Sequence, residues 1–275
     1  MKILQHSGEV ELILDDDFDL EKIFECGQCF RWNKDENGDY IGVAMGKAAK
    51  IRKENDSIFI SGTTDDFNNI WFDYFDLGKN YSQLRKSLCI DDYMKRATEY
   101  GAGIRILNQD RWEALCSFII SQCNNIPRIK KIVETLCTCF GDETELDGVV
   151  YHTFPTAERV AKLAEADLAP LRCGYRAPYI IGAARAVDSG TLDLDALSTV
   201  SLDEARMKLK TLNGVGDKVA NCAILFSLRI EDAFPIDVWM KKAIQEHYNG
   251  KLDTKVFGGH SGLAQQYMFY YQRNS

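Results

Sequence analysis

A change of period divides this chain and limits its architecture more than any other feature. Up to about residue 103, short alternating runs are punctuated by turn signals; from residue 104, apolar residues recur at three and four spacing. In "FRWNKDENGDYIGVAMG", Asn37-Gly38 sits between two candidate strands, a strong hairpin cue. "KAAKIRKENDSIFISG" predicts two further strands around Asn55-Asp56. Beyond the change, "RWEALCSFIISQCNNIPRIKKIVETLCTCFG" predicts helix, a turn at Asn124-Asn125, and helix. "TAERVAKLAEADLAPL", "APYIIGAARAVDSG" and "SLDEARMKLKTL" read as three more helices. The expected fold is α+β, an antiparallel-sheet domain over residues 1–103 followed by a helical domain over 104–275.

The same rows exclude several classes. No run of 18 apolar residues exists to span a membrane, and the acid-rich start MKILQHSGEVELILDDDFDL does not read as a secretion signal. A reducing compartment, cytoplasmic or nuclear, is expected, where most of the nine cysteines act as small buried hydrophobes. The net charge of −8 speaks weakly against nucleic acid, yet basic residues gather locally: Arg128, Lys130 and Lys131, then Arg206, Lys208, Lys210 and Lys218. Cys26 and Cys29, in "ECGQCFRW", have the spacing of a thiol-exchange or half-zinc motif. Strand-like sequence follows instead of the helix that a thioredoxin-type site needs, and no second pair of usual zinc spacing appears.

The chemistry concentrates in "LNGVGDKVANCAILF", residues 212 to 226. Gly214 and Gly216 bracket Val215 in a bend, and a helix opening near Asp217 offers free N–H groups to a phosphate. A plain glycine turn between helices is the bland alternative. Lys218 lies in the first turn of that helix, where it opposes the macrodipole, and an uncharged amine is a nucleophile. Cys222 and Phe226 share its face at i+4 and i+8. A solvent-facing lysine paired with phosphate is the competing reading. In "FPIDVWMKKAI", Asp237 falls at a helix start; it reads as an N-cap, and also as a carboxylate able to meet Lys218 if both helices end at one cleft.

"LNGVGDK" and "FPIDV" resemble the helix-hairpin-helix DNA glycosylases with a Gly/Pro-rich loop and following aspartate. "CGQCFRW", "SFIISQCNNIPRI", "CGYRAPYI" and "GLAQQYMF" extend the likeness, in order along the chain, to the 8-oxoguanine DNA glycosylases. The resemblance implies that Lys218 attacks C1′ of the damaged nucleotide and forms a Schiff base, with Asp237 assisting. It implies excision of the base followed by β-elimination on the 3′ side, the freed base shuttling the proton. Gly27 matches the position whose carbonyl accepts the N7–H of 8-oxoguanine. Guanine lacks that hydrogen, so its N7 would leave the carbonyl unsatisfied, a penalty of roughly 1–3 kcal/mol. Cys222 and Phe269 look like the faces that sandwich a flipped base, Phe226 like a further wall of that pocket, and Gln265 like the contact to the base's Watson–Crick edge. Tyr175 resembles the wedge, and Arg176 and Arg128, with Asn124 and Asn125, the contacts around the orphaned cytosine. Gly214, Val215, Gly216 and Trp239 would meet the DNA backbone. Carbonyls of Lys210, Leu212 and Val215 would face a monovalent cation.

The implied partner is double-stranded DNA carrying 8-oxoguanine, bound by a single copy with no membrane and no redox cofactor. Cys222 is the last cysteine, so no four-cysteine iron–sulfur loop can follow the catalytic segment. Two departures stand out. Cys123 replaces the first of three asparagines common in the family, which implies looser choice of opposite base; Trp239 stands where some members carry histidine. The rivals are a related glycosylase for another damaged base, whose adenine- and alkyl-removing forms generally lack the lysine, a non-catalytic hairpin module that would need neither Lys218 nor Asp237, and a thiol oxidoreductase on Cys26 and Cys29.

Overall fold

The structure, a computed structural model, describes all 275 residues. Six strands form one antiparallel sheet: β1 (Lys2–His6), β2 (Glu9–Ile13), β3 (Asn33–Lys34), β4 (Tyr40–Ala44), β5 (Lys47–Glu54) and β6 (Ser57–Ser61), in the order β1-β2-β6-β5-β4-β3. Alternation sets which face is buried. Val10 and Leu12 of β2 lie opposite Ile60 and Ile58 of β6, and all four are buried. The turns fall at the expected cues, with Gly38 at φ 89° and Asn55 at φ 52°. Below the sheet, Trp32, Trp71 and Phe24 are buried, with Phe24 stacked 4.6 Å from Trp32 and the Trp32 indole donating to the Tyr74 hydroxyl at 2.8 Å.

Helices α1 (Leu20–Glu25), α2 (Tyr81–Ser87) and α3 (Asp92–Tyr100) precede the helical half. There, α4 (Arg111–Ile120) and α5 (Ile126–Phe140) flank the Asn124-Asn125 turn, and Asp110 and Asn125 cap them through their side chains. The stretch predicted as one helix from Thr156 breaks. Helix α6 (Ala157–Ala161) ends before a separate 3₁₀ segment at Glu165–Leu171 that contains Pro170. Helices α7 (Ala177–Asp188), α8 (Leu202–Leu209), α9 (Asp217–Ser227), α10 (Val238–Tyr248) and α11 (Ser261–Asn274) complete the chain. A second hairpin, β7 (Glu143–Leu146) and β8 (Val149–His152), turns on Asp147-Gly148 and lies beside β5. No helix is long and apolar enough to cross a membrane.

The expected division at residue 103 is not where the cores part. Helix α3 packs on α11, and Tyr81, Leu88, Tyr93, Met94 and Ala97 belong to the large helical core, as do Cys26 and Phe30. Leu107 in turn joins the sheet core. The period marks where strands give way to helices; which core a side chain enters is set by the return of the last helix onto α3. Arg105 ties the junction. Its buried guanidinium donates to the carbonyls of Phe75, Asp17, Asp76 and Lys79 and to Asp16, and lies 4.1 Å from the Tyr81 ring centroid.

Candidate active site

The bend before α9 is built on two unlike glycines. Gly214 takes φ 80°, and a Cβ there would sit 2.3 Å from the Tyr179 ring. Gly216 is the N-cap at φ −95°, with open space around it and no side chain capping the helix. The N–H groups of the first turn of α9 are thus left without a side-chain cap. Lys218 follows in that first turn, half-buried. Its ammonium donates to the Ser121 hydroxyl at 3.1 Å and lies 5.4 Å from the Phe118 ring centroid. Asp237 caps α10, accepting from the Met240 N–H at 2.9 Å, so the N-cap reading holds. Its carboxylate and Lys218 nevertheless line one cavity. The first partner of the amine is Ser121 rather than this carboxylate.

Every residue expected around the base lines that same cavity: Gly27, Cys222, Phe226, Gln265 and Phe269. Burial pushes the Cys222 thiol up, the Lys218 charge beside it pulls the other way, and Asp237 adds to the rise. Sulfur, amine and carboxylate are therefore close enough to feel one another. Phe226 stacks on Phe118 with ring centroids 5.4 Å apart. The side-chain oxygen of Gln265 is buried without any hydrogen-bond partner, an acceptor facing a polar deficit. Gly27 lies at φ 81°, and its carbonyl receives no hydrogen bond from the protein. Phe118, Pro235, Cys26 and Gln266 also line the cavity and were missed by sequence reasoning, as was Ser121 against the amine. Phe118 lies on α4 and Ser121 is its C-cap residue, three positions on, but no spacing rule ties either of them to Lys218.

Cys26 and Cys29 are buried free thiols. Burial pushes Cys26 up to about 12 and Cys29 well above the usual range, so neither supplies a thiolate near neutrality.

The surface around the opening is less uniform than expected. Tyr175 is 52% exposed, a projecting ring beside Gly174 at φ 60°, and Trp239 is exposed at the start of α10. Val215, by contrast, is buried. Arg176 does not reach outward: it is 3% exposed, and its guanidinium donates to the carbonyls of Gln122, Cys123 and Cys173. Those carbonyls converge only once the two turns pack, and they draw the side chain in. Asn124 and Asn125 are engaged locally, their oxygens accepting from the N–H groups of Asn125 and Arg128, while Arg128 donates to the Arg172 carbonyl at 3.2 Å. Cys123 is exposed at φ 47°. The basic cluster is partly neutralised, because Lys130, Arg206, Lys208 and Lys210 pair with Glu25, Asp203, Glu204 and Asp217. Such exposed pairs are weak and exchange readily for phosphate.

A lysine beside a glycine bend and a capping aspartate thus open onto one cleft at a hairpin of helices. Residues 12–115 match the family described as 8-oxoguanine DNA glycosylase, N-terminal domain, and residues 116–256 match the HhH-GPD superfamily of base excision DNA repair proteins. The chain belongs to that superfamily. It is 34% identical to the N-glycosylase/DNA lyase of Saccharomyces cerevisiae, over 83% of this chain and 68% of the relative. Among solved structures, it is 45% identical to MBOgg1, solved with a low affinity DNA ligand, at TM-score 0.94 over 99% of this chain and 98% of the other. It is also 37% identical to the 8-oxoguanine glycosylase/lyase of Clostridium acetobutylicum, solved with duplex DNA containing cytosine opposite the lesion, at TM-score 0.94 over the same shares.

Proposed function

We infer that this chain is a bifunctional 8-oxoguanine DNA glycosylase/AP lyase acting on duplex DNA in base excision repair. The observation that carries the reading is the single cavity shared by Lys218, Asp237, Gly27, Cys222, Gln265 and Phe269. A base flipped out of the duplex enters it between the sulfur of Cys222 and the ring of Phe269. The Lys218 nitrogen, unprotonated, attacks C1′; the bond to the base breaks and the electron pair leaves with the base. The Asp237 carboxylate stabilises the positive charge that develops on the sugar. Ring opening gives an imine between Lys218 and C1′. Loss of a proton from C2′ then expels the 3′ phosphate, and water releases the protein. Asp237 can serve both as cap and as catalyst because its cap bond engages one oxygen, Oδ1.

Selection rests on the Gly27 carbonyl, which accepts the N7–H that 8-oxoguanine has and guanine lacks. Tyr175 fills the vacated position in the stack, while the free N–H groups at Gly216 hold the DNA backbone. A monovalent cation at the carbonyls of Lys210, Leu212 and Val215 is part of the reading: those of Lys210 and Val215 accept no hydrogen bond from the protein, and that of Leu212 accepts only the Val215 N–H at 3.1 Å. When bound, such an ion adds positive charge where the backbone passes. Work on DNA is intracellular, in a bacterial cytoplasm or a nucleus.

Borohydride trapping on a duplex with one 8-oxoguanine tests the reading. A covalent adduct should form and vanish in Lys218→Gln; an adduct that persists in that variant would place the nucleophile elsewhere.

A further inference from the structure

The segment that carries Gly27 is held by three buried glutamines. Gln266 donates to the Cys26 carbonyl at 2.7 Å, reaching across 240 positions of sequence. Gln109 donates to the Gln28 carbonyl at 2.7 Å. The Gln28 side chain donates to the carbonyls of Ile23 and Arg105, at 2.9 and 2.8 Å, and accepts the Leu107 N–H at 2.9 Å. The carbonyls on either side of Gly27 are therefore occupied, and the Gly27 carbonyl between them has no protein donor.

We propose that Gln266 is a positioning residue for lesion selection, fixing the Gly27 carbonyl through Cys26; the proposal rests on the glycosylase reading above. Gly27 has no Cβ and sits at φ 81°, so its peptides rotate more freely than those of any other residue type. Rotation of the Gly27–Gln28 peptide would replace an acceptor in the pocket by the Gln28 N–H. A donor there fits the bare N7 of guanine, the reverse of the required choice. Gln266 and Gln109 hold the carbonyls on either side of Gly27, so the Gly27–Gln28 peptide is pinned from both flanks. Removing the Gln266 amide frees the Cys26–Gly27 peptide and with it one end of the next one.

The test compares duplexes containing 8-oxoguanine or guanine at one site. In a Lys218→Gln background, Q266M should lower the ratio of the two affinities at least fivefold, through weaker binding of the lesion duplex. With Lys218 present, Q266M should slow excision of 8-oxoguanine by a similar factor, while cleavage at a preformed abasic site stays within twofold. Q266E should regain excision as pH falls, because a protonated carboxyl can donate to the Cys26 carbonyl and a carboxylate cannot. A selectivity ratio within twofold of the parent would overturn the proposal. So would abasic-site cleavage that falls in step with excision, the mark of a merely structural role. Should Q266M fail to fold, Q109M removes the matching bond on the other flank and is read the same way. A parent protein that binds both duplexes alike would sink the glycosylase reading itself, before any variant is compared.

Discussion

Gly214→Ala should unfold this protein more readily without touching its reactive groups. At φ 80° an alanine is strained by about 1–2 kcal/mol. Its methyl would also lie 2.3 Å from Cδ2 and 2.5 Å from Cγ of Tyr179, a ring anchored on α7, so the ring or the bend must move. Overpacking of that kind costs about 1–3 kcal/mol. The two together come to roughly 2–5 kcal/mol, which for a chain of this size lowers the melting temperature by about 3–9 °C. Gly216→Ala is the matched control: φ is −95°, nothing lies within 4 Å of the added carbon, and only the cap preference is lost, about 1 kcal/mol. Its methyl instead stands in the space before the free N–H groups, so it should weaken DNA binding with a small thermal shift. Calorimetry and duplex titration of both variants separate the effects. A Gly214→Ala protein melting within about 2 °C of the parent would refute the reasoning.

Asp237→Asn keeps a good helix cap but removes the carboxylate, so melting should hardly change while single-turnover base excision slows roughly 10²-fold or more. Glu113 is raised to about 7, chiefly by burial, with the Arg31 charge opposing and Asp110 adding. A raised folded-state value means stability that is present in acid and lost as pH climbs from the unfolded value through about 7; Glu113→Gln should therefore stabilise the protein at pH 8 by about 1–3 kcal/mol and little at pH 4, read from denaturant curves. Brief iodoacetamide treatment of the native protein at pH 8 should label Cys89, Cys123 and Cys139 and spare the buried Cys26, Cys29, Cys116 and Cys222, as peptide mass spectrometry would show.

Local chemistry made much of the fold readable. Alternation in "DSIFISG" and the Asn37-Gly38 and Asn55-Asp56 cues placed the sheet, and cap residues such as Asn125 and Asp237 placed helix starts. The hairpin β7–β8 escaped although Asp147-Gly148 marks its turn, because its strands are short and largely exposed and so lack a clear apolar face. In the site, Lys218 and Asp237 were legible from the bend and the cap. Ser121 and Gln266 were not, since their partners lie 97 and 240 positions away and no spacing rule reaches so far. The carbonyl partners of Arg176 were out of reach for the same reason. An arginine in a turn normally extends into solvent, and only packing reveals the three carbonyls that hold it.

The cleft takes Gly27 from the early part of the chain, further walls from α4, α9 and the loop before α10, and its last wall from α11, the latest helix in chain order. A nascent polypeptide that has emerged as far as α10 carries Gly27, Lys218 and Asp237, but not the helix that closes the cleft or the Gln266 amide that holds the Cys26 carbonyl. The pieces of the cleft are made early, and its shape is set only when α11 folds back over them.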